Sequence, residues 1–290
     1  MSAATGRARD PRTALSPMAH PPALRFDDLT LGYDGHPAVH HLSGAVARGA
    51  LLAVVGANGS GKSTLLKGIV GILKPLAGSV SRGPDSRFAY LPQQSELDRT
   101  FPARVVDLVR MGLWPARGLF GRFRAEDHAR VDAALDAVGL RGFNDRGIDT
   151  LSGGQLQRAL FARVAVQDAP LILLDEPFNA VDEKTVADLV ALLHRWHGEG
   201  RTIMVVAHDL ELVARHFPET LLLARRAVAW GPTQTVLSPE NRREARRFSE
   251  AWDETAPWCE PHAHAPHLHA VDGGHDHGHH HHHTRRPDAA

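Results

Sequence analysis

Leu51-Leu52-Ala53-Val54-Val55-Gly56-Ala57-Asn58-Gly59-Ser60-Gly61-Lys62-Ser63-Thr64 joins an apolar run, a glycine-rich turn and the start of a helical pattern without interruption. The run is short enough for a buried strand. Gly56, then four residues, then Gly61-Lys62-Ser63 has the spacing of a phosphate loop. Gly56, Gly59 and Gly61, with Asn58 among them, let the backbone wrap an anion, and the amides of the loop and of the helix start favour negative charge. In that geometry Lys62 reaches the outer phosphates, the Ser63 hydroxyl ligates magnesium, and Thr64 lies in the first helical turn beside them. A strand feeding such a loop into a helix predicts an α/β fold with a mostly parallel sheet and ligands at the strands' carboxyl ends.

The pattern recurs further along. The apolar run Leu171 to Leu174 is followed by a helical pattern over 184–196, and 202–207 by another over 210–217. Between 101 and 166 the alternation breaks and the chain reads as helices only; in Ala125 to Leu140, spacing gathers Ala129, Val131, Ala134, Leu135 and Val138. Asp175-Glu176 follows the run that begins at Leu171, so a buried strand delivers two carboxylates at its end. Asp175 suits the magnesium shell, and Glu176 suits polarisation of an attacking water. Leu151-Ser152-Gly153-Gly154-Gln155 stands ahead of a helical pattern over 156–166, which puts a second anion site at a helix N-terminus. One nucleotide does not need two such sites from one chain.

With these three motifs in order, residues 24–240 resemble the ATP-binding cassette (ABC) ATPases. The resemblance implies a P-loop core with a mostly parallel sheet, an N-terminal antiparallel β portion and a helical insertion over about 100–166 carrying the signature. It also implies a homodimer with two ATP and Mg2+ between the chains, Ser152, Gly153, Gly154 and Gln155 of one facing the phosphate loop of the other. Tyr33 falls where the family has an aromatic stacked on adenine. Gln93 matches the glutamine that reaches magnesium and water, with Gln94 an adjacent rival, so the implied magnesium set is Ser63, Gln93 and Asp175. His208 matches the switch histidine at the γ-phosphate. Asp182 keeps its place in the loop that crosses the dimer interface, whereas Asn179 and Val181 depart from the usual Ser-Ala-Leu-Asp.

Composition narrows the partners. Lys+Arg and Asp+Glu both number 33 in 290 residues, so no global basic field gathers nucleic acid. The single cysteine, Cys259, excludes an internal disulfide framework and fits a reducing compartment. No apolar run approaches membrane-spanning length. Integral membrane permease subunits are therefore expected as partners, with this chain peripheral on the cytoplasmic face of the cell membrane. Arg99 to Trp114, where Phe101-Pro102 opens a helix ending in Met111-Gly112, is similar to the zinc/manganese-uptake branch of the family. That likeness implies uptake of a divalent transition metal, zinc before manganese, together with an extracytoplasmic metal-binding protein. The basic, aromatic segment Trp114 to Phe123 is either a socket for the permease or packing for the insertion's own core.

Residues 1–22 read as a disordered arm, with Met18 a second candidate start, 24–253 as the ATP-binding domain and 256–290 as a disordered low-complexity tail. Of 20 histidines, eleven lie in the tail: His262, His264, His267, His269, His275, His277, His279, His280, His281, His282 and His283. Neutral imidazoles alternating on a flexible chain can wrap Zn2+ or a related metal, with Cys259 and Glu260 just upstream. Two other classes stay open at this point: a soluble cassette ATPase acting on ribosomes or DNA, and a His-rich metal store.

Overall fold

The structure, a computed structural model, describes residues 21–250 apart from 86, 95–97 and 119–121. The readings made for the N-terminal arm and for the metal-binding tail, His262 to His283, lie outside the described residues.

The quoted apolar run is strand β3 (Leu51–Val55), buried at every residue and placed inside a six-stranded sheet. Counting from the N-terminus, β1 (Leu24–Tyr33) and β2 (His36–Val46) precede it, and β4 (Ala77–Arg82) and β5 (Phe88–Leu91) follow. Further on come β6 (Leu171–Asp175), β7 (Thr202–Val206), β8 (Glu219–Ala224) and β9 (Arg226–Pro232). The order in the large sheet is β5-β6-β7-β3-β8-β9, parallel through β8, with β9 antiparallel on the edge. β6, β7 and β3 are buried throughout, which is why they read as unbroken apolar runs and not as alternation. β2-β1-β4 forms a separate antiparallel sheet.

Helices cover both faces. Helix α1 (Lys62–Val70) follows the glycine-rich loop and packs in the core between the two sheets, with Leu65, Leu66 and Ile69 buried among Leu29, Leu31, Val54 and Leu221. It stops at Val70, because Gly71 adopts φ +85° and its N–H turns back to the Gly68 carbonyl. The other face carries a larger core with α2 (Val105–Arg110), α4 (Ala125–Ala137), α5 (Gly153–Gln167) and α6 (Glu183–Gly198), while the short α3 (Trp114–Arg117) has no buried residue. α7 (Leu210–His216), α8 (Thr233–Val236) and α9 (Pro239–Glu250) complete the described chain. The helical stretch expected over about 100–166 is therefore α2 to α5.

The buried face of α4 departs from the apolar spacing at one position. Val131, Ala134, Leu135 and Val138 are buried as expected, but Ala129 is exposed. The inward position is taken by Asp127, a charged residue that spacing of apolar side chains cannot find. Its carboxylate is sealed by Arg117, Nη2 to Oδ1 at 2.9 Å, and it also accepts from the Arg124 N–H at 2.9 Å. Arg117 and Arg124 are the reason a fully covered carboxylate is tolerated there.

Candidate active site

The carboxyl ends of β3, β6 and β7 open on a cleft of 780 Å³, lined by Ala38, the loop and helix start from Asn58 to Thr64, Gln93, Glu176, Asn179 and His208. Backbone crowding explains two of the glycines. A side chain on Gly56 would come within 2.1 Å of the Leu223 carbonyl, and one on Gly61, at φ +94°, within 2.4 Å of the Ala38 carbonyl. The loop is thus wedged between β2 and β8, at the point where α1 begins.

Lys62 is 5% exposed and folds back on its own loop, Nζ donating to the Gly56 and Ala57 carbonyls at 3.0 and 2.9 Å. Burial lowers its pKa from the ordinary lysine range, and the Glu176 and Asp175 carboxylates oppose that shift. An ammonium held dry and tethered only to carbonyls is well suited to meet an incoming polyanion.

Ser63 Oγ donates to Asp175 Oδ1 at 3.1 Å, and Gln93 Nε2 lies 3.4 Å from the same hydroxyl. A hydroxyl, a buried carboxylate and an amide whose oxygen and nitrogen exchange by a simple flip make an oxygen donor set that fits a small hard cation. Of the two neighbouring glutamines, Gln93 lines the cleft, while Gln94 is not among its lining residues and donates to the Gly153 carbonyl at 3.4 Å.

Glu176 sits just past β6 at φ +51°, its N–H bonded to the Val206 carbonyl at 3.1 Å. One carboxylate oxygen hydrogen-bonds His208 Nε2, and the other accepts from Asn179 Nδ2 at 2.8 Å. Asn179 was legible only as a departure from the family pattern. Its role emerges because the turn after Glu176 brings position 179 back over the carboxylate.

Ser152 to Gln155 are not among the residues lining this cleft. Ser152 caps α5, its hydroxyl accepting from the Gln155 N–H at 3.2 Å while Gln155 Oε1 accepts from the Ser152 N–H at 3.1 Å. Gly153 and Gly154 back closely onto the loop after Glu176: added side chains would meet the Ala180 carbonyl at 3.2 Å and Asp182 Oδ2 at 3.1 Å. Asp182 caps α6 through the Thr185 N–H and hydroxyl, both at 2.8 Å, and those bonds hold its pKa below the usual carboxylate range. Tyr33 ends β1 about half exposed and is not among the lining residues, although β2 from the same hairpin supplies Ala38.

On the helical insertion the aromatics divide. Phe101, Met111 and Trp114 are exposed, whereas Phe123 packs against the core with the Arg110 guanidinium over its ring at 5.7 Å. Among the described residues no helix is long and apolar enough to cross a membrane, and no three His, Cys, Asp or Glu side chains gather to hold a metal.

Comparison with known proteins agrees with this geometry. The ABC transporter family model matches residues 39–179. The zinc transport system ATP-binding protein TroB of Treponema pallidum is 43% identical over 225 residues, 75% of this chain and 84% of that one. The manganese transport system ATP-binding protein MntB of Listeria monocytogenes is 39% identical over 223 residues, 75% and 93% of the two chains. Among solved structures, an ATP-binding subunit of an ABC transporter superposes with a TM-score of 0.65 at 25% identity, covering 77% of this chain and 99% of that one. With the phosphate loop, the carboxylates and the capped signature on one α/β core, the chain belongs to the ATP-hydrolysing subunits of the ABC transporter family.

Proposed function

We propose that this chain powers uptake of a divalent transition metal, zinc before manganese, from the cytoplasmic face of the cell membrane. The observation that carries the metal class is the pair of relatives named for zinc and manganese transport, matched over 84% and 93% of their own lengths. Zinc is favoured by the higher identity of the zinc-named relative and by the tail from His262 to His283, whose imidazoles suit Zn2+. The chain's partners are integral membrane permease subunits, which supply the pathway, and an extracytoplasmic metal-binding protein that delivers the ion. Exposed Phe101, Met111 and Trp114 give the permease an apolar hold on the helical insertion.

ATP occupies the cleft with its phosphates in the Gly56–Thr64 loop, where Lys62 exchanges its carbonyl partners for the outer phosphates. Ser63, Gln93 and Asp175 hold Mg2+, which when bound neutralises phosphate charge. Glu176 accepts the proton of the attacking water, and His208 and Asn179 hold its carboxylate in place while His208 faces the γ-phosphate. Tyr33 offers its exposed ring to the adenine. Ser152 to Gln155 of a second copy close over the phosphates, with Asp182 in the loop between the two sites. That second copy explains why the signature does not line its own chain's cleft. Closure assembles the site and hydrolysis releases it.

The cargo is tested in cells lacking this chain, by ATP-dependent accumulation of zinc and of manganese. Wild-type chain restores zinc accumulation and Lys62→Ala does not. Restoration of manganese alone would move the cargo to manganese, and restoration of neither would overturn metal uptake.

A further inference from the structure

A strip of hydrogen bonds outside both sheets joins the Gln93 side of the cleft to the signature. Gln94 Nε2 donates to the Gly153 carbonyl at 3.4 Å, and Arg99 Nη2 to the Leu151 carbonyl at 2.5 Å. The strip continues antiparallel: the Ile148 N–H reaches the Ala103 carbonyl at 2.9 Å, and Arg104 pairs with Gly147. The Val105 and Val106 N–H groups then reach the carbonyls of Arg146 and Asn144 at 2.9 and 3.0 Å. Ser152 lies between the two carbonyls that side chains grip. Both gripping residues belong to the stretch that follows Gln93.

The Ser152–Gln155 capping box fixes the first turn of α5, while just ahead of it the Leu151 N–H makes a long 3.4 Å bond to the Ile148 carbonyl and the Thr150 N–H one of 3.1 Å to the Gly147 carbonyl. The Arg99 contact is charge-assisted and therefore the strongest tie on that backbone. Donors that must meet a ligand held by another chain have to be placed to about half an ångström. Phe101, 64% exposed, sits between the Arg99 tie and the Ala103 tie. A push on this stretch therefore reaches Leu151 and Gly153 through bonds already made.

We propose that Arg99, supported by Gln94, is a positioning residue for ATP hydrolysis: it fixes the Leu151–Gly153 backbone and so aims Ser152 at the nucleotide of the opposite copy. The proposal rests on the reading that Ser152 completes the partner's site. Arg99→Met keeps the side-chain stem without a donor, and Arg99→Lys keeps a charged N–H group that can donate to the carbonyl. In full-length protein, steady-state ATP hydrolysis gives kcat and KM, and equilibrium titration gives ATP affinity. Arg99→Met lowers kcat about tenfold, the scale of one charge-assisted hydrogen bond, with ATP affinity unchanged, and Arg99→Lys recovers most of the loss. Placed on Ser152→Ala, Arg99→Met adds little, because it acts through Ser152. Wild-type kcat in Arg99→Met, an undiminished additional loss on the Ser152→Ala background, or no recovery with lysine would each overturn the proposal. A parallel loss of ATP affinity would do so as well, by assigning Arg99 to general folding. Wild-type turnover in Ser152→Ala itself would instead overturn the signature reading beneath it.

Discussion

Glu176 holds a left-handed backbone, φ +51°, that a residue with a side chain adopts at a cost of about 1 kcal/mol or more. Its N–H bond to Val206 and the grips of His208 and Asn179 offset that cost and leave the carboxylate at the cleft with a single orientation. Asn179→Ala removes one grip. We expect kcat for ATP hydrolysis to fall about tenfold with ATP affinity preserved, measured by steady-state kinetics and equilibrium binding. Lys62 behaves differently: Lys62→Ala removes the cation that meets the phosphates, so ATP binding itself is lost in an equilibrium titration. Lys62, Ser63, Asp175 and Glu176 were legible in the sequence because each stands at a fixed offset from a glycine-rich turn or a strand end, whereas His208 came from the family likeness. Asn179 and Ala38 were not legible. They reach the cleft through a turn and a hairpin whose path depends on packing between sheets.

At the scale of elements, α4 is held by an ion pair. The Arg117 hydrogen bond lowers the Asp127 pKa, as does the Arg124 N–H. A carboxylate with a depressed folded-state pKa stabilises the fold fully above the unfolded-state pKa, near 3.9, and loses that contribution as pH falls through the folded value. Asp127→Asn therefore lowers Tm by a few degrees at pH 7, and the gap to wild type closes below about pH 4, as followed by thermal melts across pH. An equal gap at low pH would show that Asp127 stabilises by packing alone. The same helix shows where pattern reading stops. Val131, Ala134 and Leu135 announce a buried face, while a buried Asp satisfied by an Arg ten residues earlier gives no periodic signal. β3, β6 and β7 were legible for the opposite reason: a strand covered on both faces is a plain apolar run. The small antiparallel sheet carries register shifts in both of its pairings, which blur alternation, and only family likeness anticipated it.

For the whole molecule, zero net charge averages unlike parts, because eleven of the 20 histidines lie between His262 and His283. Imidazoles titrate near neutral pH and are ligands for transition metals, so a metal-binding role for the tail, as proposed, makes its charge follow pH and metal. Removing residues 256–290 leaves ATP hydrolysis intact and changes only its response to added zinc, as a metal titration of ATPase activity would read. Loss of ATPase activity with the tail would make the tail central. The proposed mechanism needs two chains: Ser152 to Gln155 do not line their own cleft, so in that reading a second copy supplies them. The most direct measurement is light scattering coupled to gel filtration on Glu176→Gln with ATP and magnesium, beside its turnover. The account predicts a stable ATP-bound dimer and hydrolysis reduced by about a hundredfold or more. A variant that stays monomeric with ATP and hydrolyses it at the wild-type rate would contradict it.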